Sequence, residues 1–453
     1  MIILWYYNDA TQIAVTICQR SDNVKKLYAL MATLVVLTLG ACANNNLDDG
    51  GGDSGSTATD GSEITAWAWD PNFNIRALEI ARDLYEGEAA IEIIDSAQDD
   101  IIQRLNVMLS SGTTNGLPNI VLIEDYRAQS FLQAYPDMFY DLSDYINSED
   151  FAAYKIPLTS FEGNLYGVPF DTGVTGVYIR LDYLEAADFT VADVTNVDWN
   201  QLIDVAVAVK EATGKHLLTL DPNDLGIIRS MIQTAGSWVT EADGKTPNLA
   251  GNPYLETAFG VYKRLMEEDL VIPVTDWSQF VGAFNTGDVV SVPTGNWITP
   301  SVMAEPSQLG SWAVIPYPSL PGISTSVNAS NLGGSSWYVL NVDGKEEAAE
   351  FLASTFGSNQ AFYQTLLEEI GAMGTFVPAL NGDMYHLEVE FFGGQKIYQD
   401  FARWTQEIPQ VNYGLHTYVI EDILVVALQN YLGGQDLEAA LAEAQSQAES
   451  QIN

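Results

Sequence analysis

The chain has 453 residues, more than one ordinary hydrophobic core organises, so two or more lobes are expected. Its 47% hydrophobic and 11% aromatic content excludes a disordered chain. Eighteen basic against 60 acidic residues leave a net charge of −42, which repels phosphate backbones and anionic lipid head groups and makes nucleic acid a poor partner.

The acids are scattered rather than clustered, which reads as a solubility surface. A site for a cationic ligand such as a polyamine is the alternative. The two cysteines, Cys18 and Cys42, both precede the globular part, so no disulfide is expected there. His216, His386 and His416 fall in no HExxH or CxxC spacing, so neither a metal nor any other cofactor is indicated.

The N-terminus reads as an address. Residues 25–42 are KKLYALMATLVVLTLGAC: two lysines, fifteen apolar or small residues, then Cys42. Fifteen residues make about 22 Å of helix, short of a span and suited to a secretory signal. The Leu-Gly-Ala-Cys ending resembles the bacterial lipobox, which implies cleavage before Cys42 and a diacylglycerol on its sulfur. Residues 1–23 are polar and carry Asp9 and Asp22, so translation is expected to start near Val24. Residues 43–62, rich in Gly, Ser, Asn and Asp, form a flexible acidic tether with a reach of roughly 25 Å. The domain is therefore expected outside the cytoplasm, on the outer face of a membrane, or in a periplasm.

From residue 63 short strands alternate with helices. The stretch 64–69 is a strand in which Trp67 and Trp69 share a face, stopped by Asp70-Pro71. A helix over 74–85, a strand at 90–94, a helix over 99–111 and a strand at 120–123 complete a βαβαβ run. This predicts an α/β fold with a parallel sheet and right-handed crossovers. No GxGxxG follows the first strand and no GxxxxGK[ST] occurs, so neither a dinucleotide nor a P-loop nucleotide is indicated. In open parallel sheets ligands sit beyond the carboxyl ends of strands. That rule places Trp69 and Asp70, and Asp125 with Tyr126, at a cleft, and leaves Trp67 deeper in the core. Asp125 has a second reading as a helix cap. Further on, 166–183 is extended. Helices are predicted over 199–213, 225–236, 253–269, 280–285, 345–356, 359–370, 394–407, 417–432 and 435–449. Strands fall within 287–297, 308–318 and 333–340.

The lipobox, the acidic tether, WAWDPNFN, YGVPFDTG, TGNW and GGSSWYVL together resemble the extracellular solute-binding proteins of ABC sugar importers, family 1. The resemblance runs over 63–453. It implies a two-lobe, type II periplasmic-binding-protein-like fold whose lobes close on ligand by a hinge. Lobe one is expected from 63–172 plus 312–355, and lobe two from 173–311 plus 356–453. The crossings are expected near 172–175, near 310–313 and near Phe356.

The resemblance adds candidates. Asp171 lies in the hinge-adjacent segment, and Trp297 with its neighbour Asn296 matches a late lobe-two aromatic that stacks on sugar. Gly334 and Ser335 return in lobe one, Trp238 follows Ala-Gly-Ser, and Tyr413 sits in the QVNYG loop. Trp404 stands mid-helix beside Phe401, where a core stripe is the other reading. The chemistry agrees: flat aromatics suit the apolar faces of a sugar and carboxylates accept its hydroxyls.

The expected function is capture of a mono- or oligosaccharide for an ABC importer, without catalysis. The permease and ATPase would be separate chains and the protein a monomer. Two alternatives stand: a binding protein for a polyamine or peptide, and a secreted glycoside hydrolase, whose two carboxyls at a set separation sequence cannot show.

Overall fold

The computed structural model describes residues 63–452. The leader, the tether and Cys42 lie outside the described residues. No helix among the described residues is long and apolar enough to cross a membrane.

Among the described residues twelve strands follow in chain order: β1 (Glu63–Ala68), β2 (Ala90–Asp95), β3 (Ile120–Glu124), β4 (Ser160–Phe161), β5 (Asn164–Leu165), β6 (Gly167–Pro169), β7 (Thr175–Arg180), β8 (Leu218–Leu220), β9 (Val271–Pro273), β10 (Ser291–Gly295), β11 (Trp312–Pro316) and β12 (Ser335–Val339). The first sheet has the order β2-β1-β3-β12-β6. Strands β1, β2 and β3 are parallel, as the βαβαβ run predicts. Strand β12 enters antiparallel between β3 and β6. Helices Asn74–Leu84 and Gln98–Ser111 make the crossovers. The first buries Ile75, Leu78 and Ala81 at helical spacing. The second ends at Gly112, whose φ of 66° gives the left-handed cap a side chain resists.

The second lobe is built on β10-β7-β11, with both neighbours antiparallel to β7. The parallel pair β8-β9 joins its edge, where Val290 N donates to His216 O and Ser291 N to Leu217 O. Each lobe has its own core. Trp67, Trp337, Phe356 and Phe362 are buried around the first sheet. Trp199, Trp312, Phe401 and Trp404 are buried around the second.

Three segments cross between the lobes side by side. Residues 171–174 link β6 to β7. Residues 331–334 return before β12, with a bridge between Val174 and Asn331 and Leu332 N donating to Gly173 O. The third runs at 373–375, where Thr172 N donates to Met373 O and Thr375 N to Phe170 O. The strand pairing puts the second and third of these segments later in the chain than 310–313 and Phe356. Strand β11 pairs with β7, so it belongs to the second lobe and the return lies some twenty residues later than 310–313. Phe356 and helix Gln360–Ile370 pack on the first lobe's core, so the third crossing follows that helix. An apolar helix stripe records that a face is covered, not which sheet covers it.

Candidate functional site

Between the lobes lies a cavity of about 390 Å³. The first lobe contributes Glu124 and Tyr126 at the end of β3, and the return crossing contributes Leu332 and Gly333. The second lobe supplies Asp221 and Asp224 beyond β8, Asp276, Trp277 and Phe280 beyond β9, Trp297 beyond β10, and Arg229. The wall therefore gathers at carboxyl ends of strands from both sheets.

Local rules place these side chains. Asp276 caps helix Trp277–Asn285 by accepting from Gln279 N at 2.9 Å, which sets Trp277 on the first helical position, 56% exposed. Trp297 stands in a short 3₁₀ turn after β10, 36% exposed. Its Nε1 donates to Leu332 O at 2.8 Å, tying the second lobe to the crossing. A Cβ at Gly295 would lie 2.2 Å from that Nε1, so only glycine admits this indole. Trp277 and Trp297 present neighbouring faces, with ring centroids 6.0 Å apart.

Tyr126 forms the opposing wall and is held from behind. Trp238 stacks on it at 5.8 Å and 11°, and Tyr413 packs at 4.5 Å. Trp238 Nε1 donates to Tyr413 O and to Thr417 Oγ1, both at 3.2 Å. Four carboxylates, those of Glu124, Asp221, Asp224 and Asp276, line the cavity against one guanidinium, Arg229. Arg229 pairs with Glu421 and lies 3.7 Å from Asp224, so its charge is already answered. Burial pushes the Glu124 carboxyl upward, opposed by a hydrogen bond from Tyr418 and by Arg127 and Arg229.

Of the twelve sequence candidates, Tyr126 and Trp297 line this cavity. Asp125 is buried under the hinge: its Oδ2 accepts from Lys155 Nζ at 2.6 Å and its Oδ1 from Ser336 Oγ at 3.1 Å. It opens helix Asp125–Ala134 without acting as its side-chain cap. Asp171 Oδ1 accepts from Ser335 N at 2.7 Å and Ser335 Oγ at 2.6 Å, so these two candidates bind each other. Gly334 O accepts from Asp125 N, and Gly334 has a φ of 94°. Asn296 is buried and accepts from Thr299 Oγ1 through its backbone oxygen. Trp238 and Tyr413 stand behind Tyr126. Trp404 is buried against Phe401. Trp69 is half-buried against the first lobe's cores, and exposed Asp70 accepts from Asn72 N in its own turn.

Sequence reading missed Asp221, Asp224, Asp276, Trp277 and Arg229. The same strand-end rule finds the first four once β8 and β9 are known, but three-residue strands carry no readable period.

This geometry, two α/β lobes with a polar, aromatic cleft over a three-segment hinge, defines a solute-binding protein. The chain belongs to the bacterial extracellular solute-binding proteins, whose family model matches residues 85–380. It is 41% identical over 401 residues to a lactose-binding protein of Rhizobium radiobacter, covering 88% of this chain and 94% of that one. It is 23% identical over 349 residues to an arabinooligosaccharide-binding protein of Bacillus subtilis, covering 74% and 78%. Its fold is similar to that of the sugar-binding protein MalE from Xanthomonas citri. There the TM-score is 0.72 and the identity 16%, over 86% of this chain and 97% of that one.

Proposed function

We propose that the protein captures a short, neutral carbohydrate of lactose type in the interlobe cleft and delivers it to the permease of an ABC importer. The observation that carries this reading is the pair of exposed indoles, Trp277 and Trp297, facing a cavity rimmed by carboxylates. Indole faces suit the C–H faces of a pyranose, and ionised carboxylates accept its hydroxyls through the stronger, charge-assisted bonds. The cavity sits near the small end of the range of about 300–1,000 Å³ for small-molecule sites, which favours one or two sugar rings over a long chain. The lactose-binding relative supports a β-galactoside as the first ligand to try. Trp277, Trp297 and Tyr126 are proposed to stack on the rings, and Glu124, Asp221, Asp224 and Asp276 to accept hydroxyl protons.

Titration calorimetry with lactose, maltose, arabinooligosaccharides and spermidine tests the reading. Micromolar binding of lactose, about −8 kcal/mol, is expected. The acidic lining favours a polyamine as the second reading, and binding of spermidine with no response to any sugar would replace the first with it. The membrane address is proposed as a lipid on Cys42, holding the domain as a monomer outside the cell. Cys42→Ser should release the protein into the medium or periplasm, and retention at the membrane would refute the anchor.

A further inference from the structure

One polar bridge crosses the cleft beside the cavity. Glu124 ends β3 in the first lobe, and Tyr418 Oη sits 2.8 Å from both of its carboxylate oxygens. Tyr418 belongs to helix Thr417–Leu432, which packs in the second lobe's core. Arg127, one turn beyond Glu124, places Nε 3.3 Å from Glu124 Oε2 and its guanidinium 4.3 Å over the Tyr418 ring. On the other side, Arg229 lies 5.6 Å from the Tyr418 ring and 5.0 Å from the Tyr126 ring. Guanidiniums and rings therefore alternate, and the alternation passes from lobe one to lobe two and back. Glu124 lines the cavity; Arg127 and Tyr418 do not.

A carboxylate enclosed with a ligand loses water, and it stays a good acceptor only if other donors hold it. Here the main donor comes from the opposite lobe. Parting the lobes across this contact would take Tyr418 from Glu124, and with it the bond that fixes the orientation of the carboxylate. A carboxylate offers about four lone-pair sites, so sharing the Tyr418 proton leaves room for a ligand hydroxyl.

We propose that Tyr418 and Arg127 are positioning residues that set the Glu124 carboxylate for ligand only when the lobes are shut, making recognition and closure one event. The inference rests on the reading of Glu124 as a sugar acceptor in this cleft.

The test uses the mature full-length chain, lactose calorimetry and small-angle scattering with and without lactose. Tyr418→Phe keeps the ring between the guanidiniums and removes only the hydrogen bond. Arg127→Met removes a cation outside the cavity, and Arg127→Lys keeps one. Tyr418→Phe and Arg127→Met should each raise the lactose Kd about tenfold or more, the effect of losing one charge-assisted bond. Arg127→Lys should recover most of that loss. The ligand-free thermal midpoints should stay near wild type, and the lactose-induced contraction should shrink in both weakened variants. Variants that bind and contract like wild type would overturn the inference. So would a Glu124→Gln protein with unchanged affinity. A wild-type protein that binds no sugar is a different failure: it removes the carbohydrate reading first.

Discussion

Lys155→Met should cost about 3–5 kcal/mol at neutral pH, the usual penalty for stranding one member of a buried ion pair. Lys155 and Asp125 are both wholly buried. The ammonium has three donors, and all are used: on Asp125 Oδ2 at 2.6 Å, Ser335 O at 2.8 Å and Asp171 O at 3.1 Å. Without the lysine, Asp125 keeps a single side-chain partner, Ser336 Oγ, and Asp171 O loses the ammonium as donor, while Ser335 O still accepts from Phe170 N. The sign with pH follows from the carboxyl. Burial already raises Asp125 from 3.8 to about 6, with Lys155 pulling the other way. A carboxyl raised on folding stabilises below its unfolded pKa, and that contribution is lost as pH rises through the folded value. Removing Lys155 moves the folded value higher, so the variant goes on losing stability above pH 6, by up to about 1.4 kcal/mol per pH unit. Urea unfolding of both proteins at pH 5 and pH 8 measures this. The stability difference should be larger at pH 8 by about 2 kcal/mol. Equal differences at the two pH values, or a loss under about 1 kcal/mol at pH 8, would refute the account of the pair.

Trp277→Ala and Trp297→Ala should each weaken lactose binding by about 1–3 kcal/mol, the worth of one aromatic anchor, with Trp297→Ala also releasing its bond to Leu332 O. Calorimetry checks both, and unchanged affinity would remove that indole from the site. Gly334→Ala should destabilise by at least about 1–3 kcal/mol, because φ is 94° and the new Cβ would sit 2.7 Å from Asp125 Oδ2. Thermal unfolding reads it directly. Asn331→Ala removes four side-chain hydrogen bonds, to Tyr154 Oη, Gly173 N, Gly333 O and Tyr413 Oη. It should lower stability by about 2 kcal/mol or more, and near-wild-type unfolding would show those bonds to be dispensable.

The long periodic elements were legible in the sequence. The βαβαβ run and the strand ends at Asp125-Tyr126 follow from alternation, helix stripes and the strand-end rule, while the late Trp297 came from the family resemblance. What stayed hidden was non-local or short. Lys155 reads in sequence as an ordinary solvated lysine, since its partner is thirty residues away and its other acceptors are backbone carbonyls. Asp171, beside the hinge, and Ser335, where the chain returns to lobe one, each look like ligand contacts, yet 164 residues apart they satisfy one another. The aromatic candidates divided by depth: Trp238 and Tyr413 are buttresses of Tyr126 rather than faces of the cavity, and a type of residue does not announce its depth.

The return crossing has a mechanical consequence. Leu332 and Gly333 line the cavity and are also part of the hinge, while Asn331 beside them fastens both lobes. A ligand in this cavity would thus be pressed against the fulcrum rather than held at the jaws. A sugar that fits a fraction of an ångström too thickly there opens the lobe tips by a much larger arc, because the arms are long and the load arm is short. Size selection in this geometry is read out as the gap between distant surfaces, the quantity a docking permease would sense.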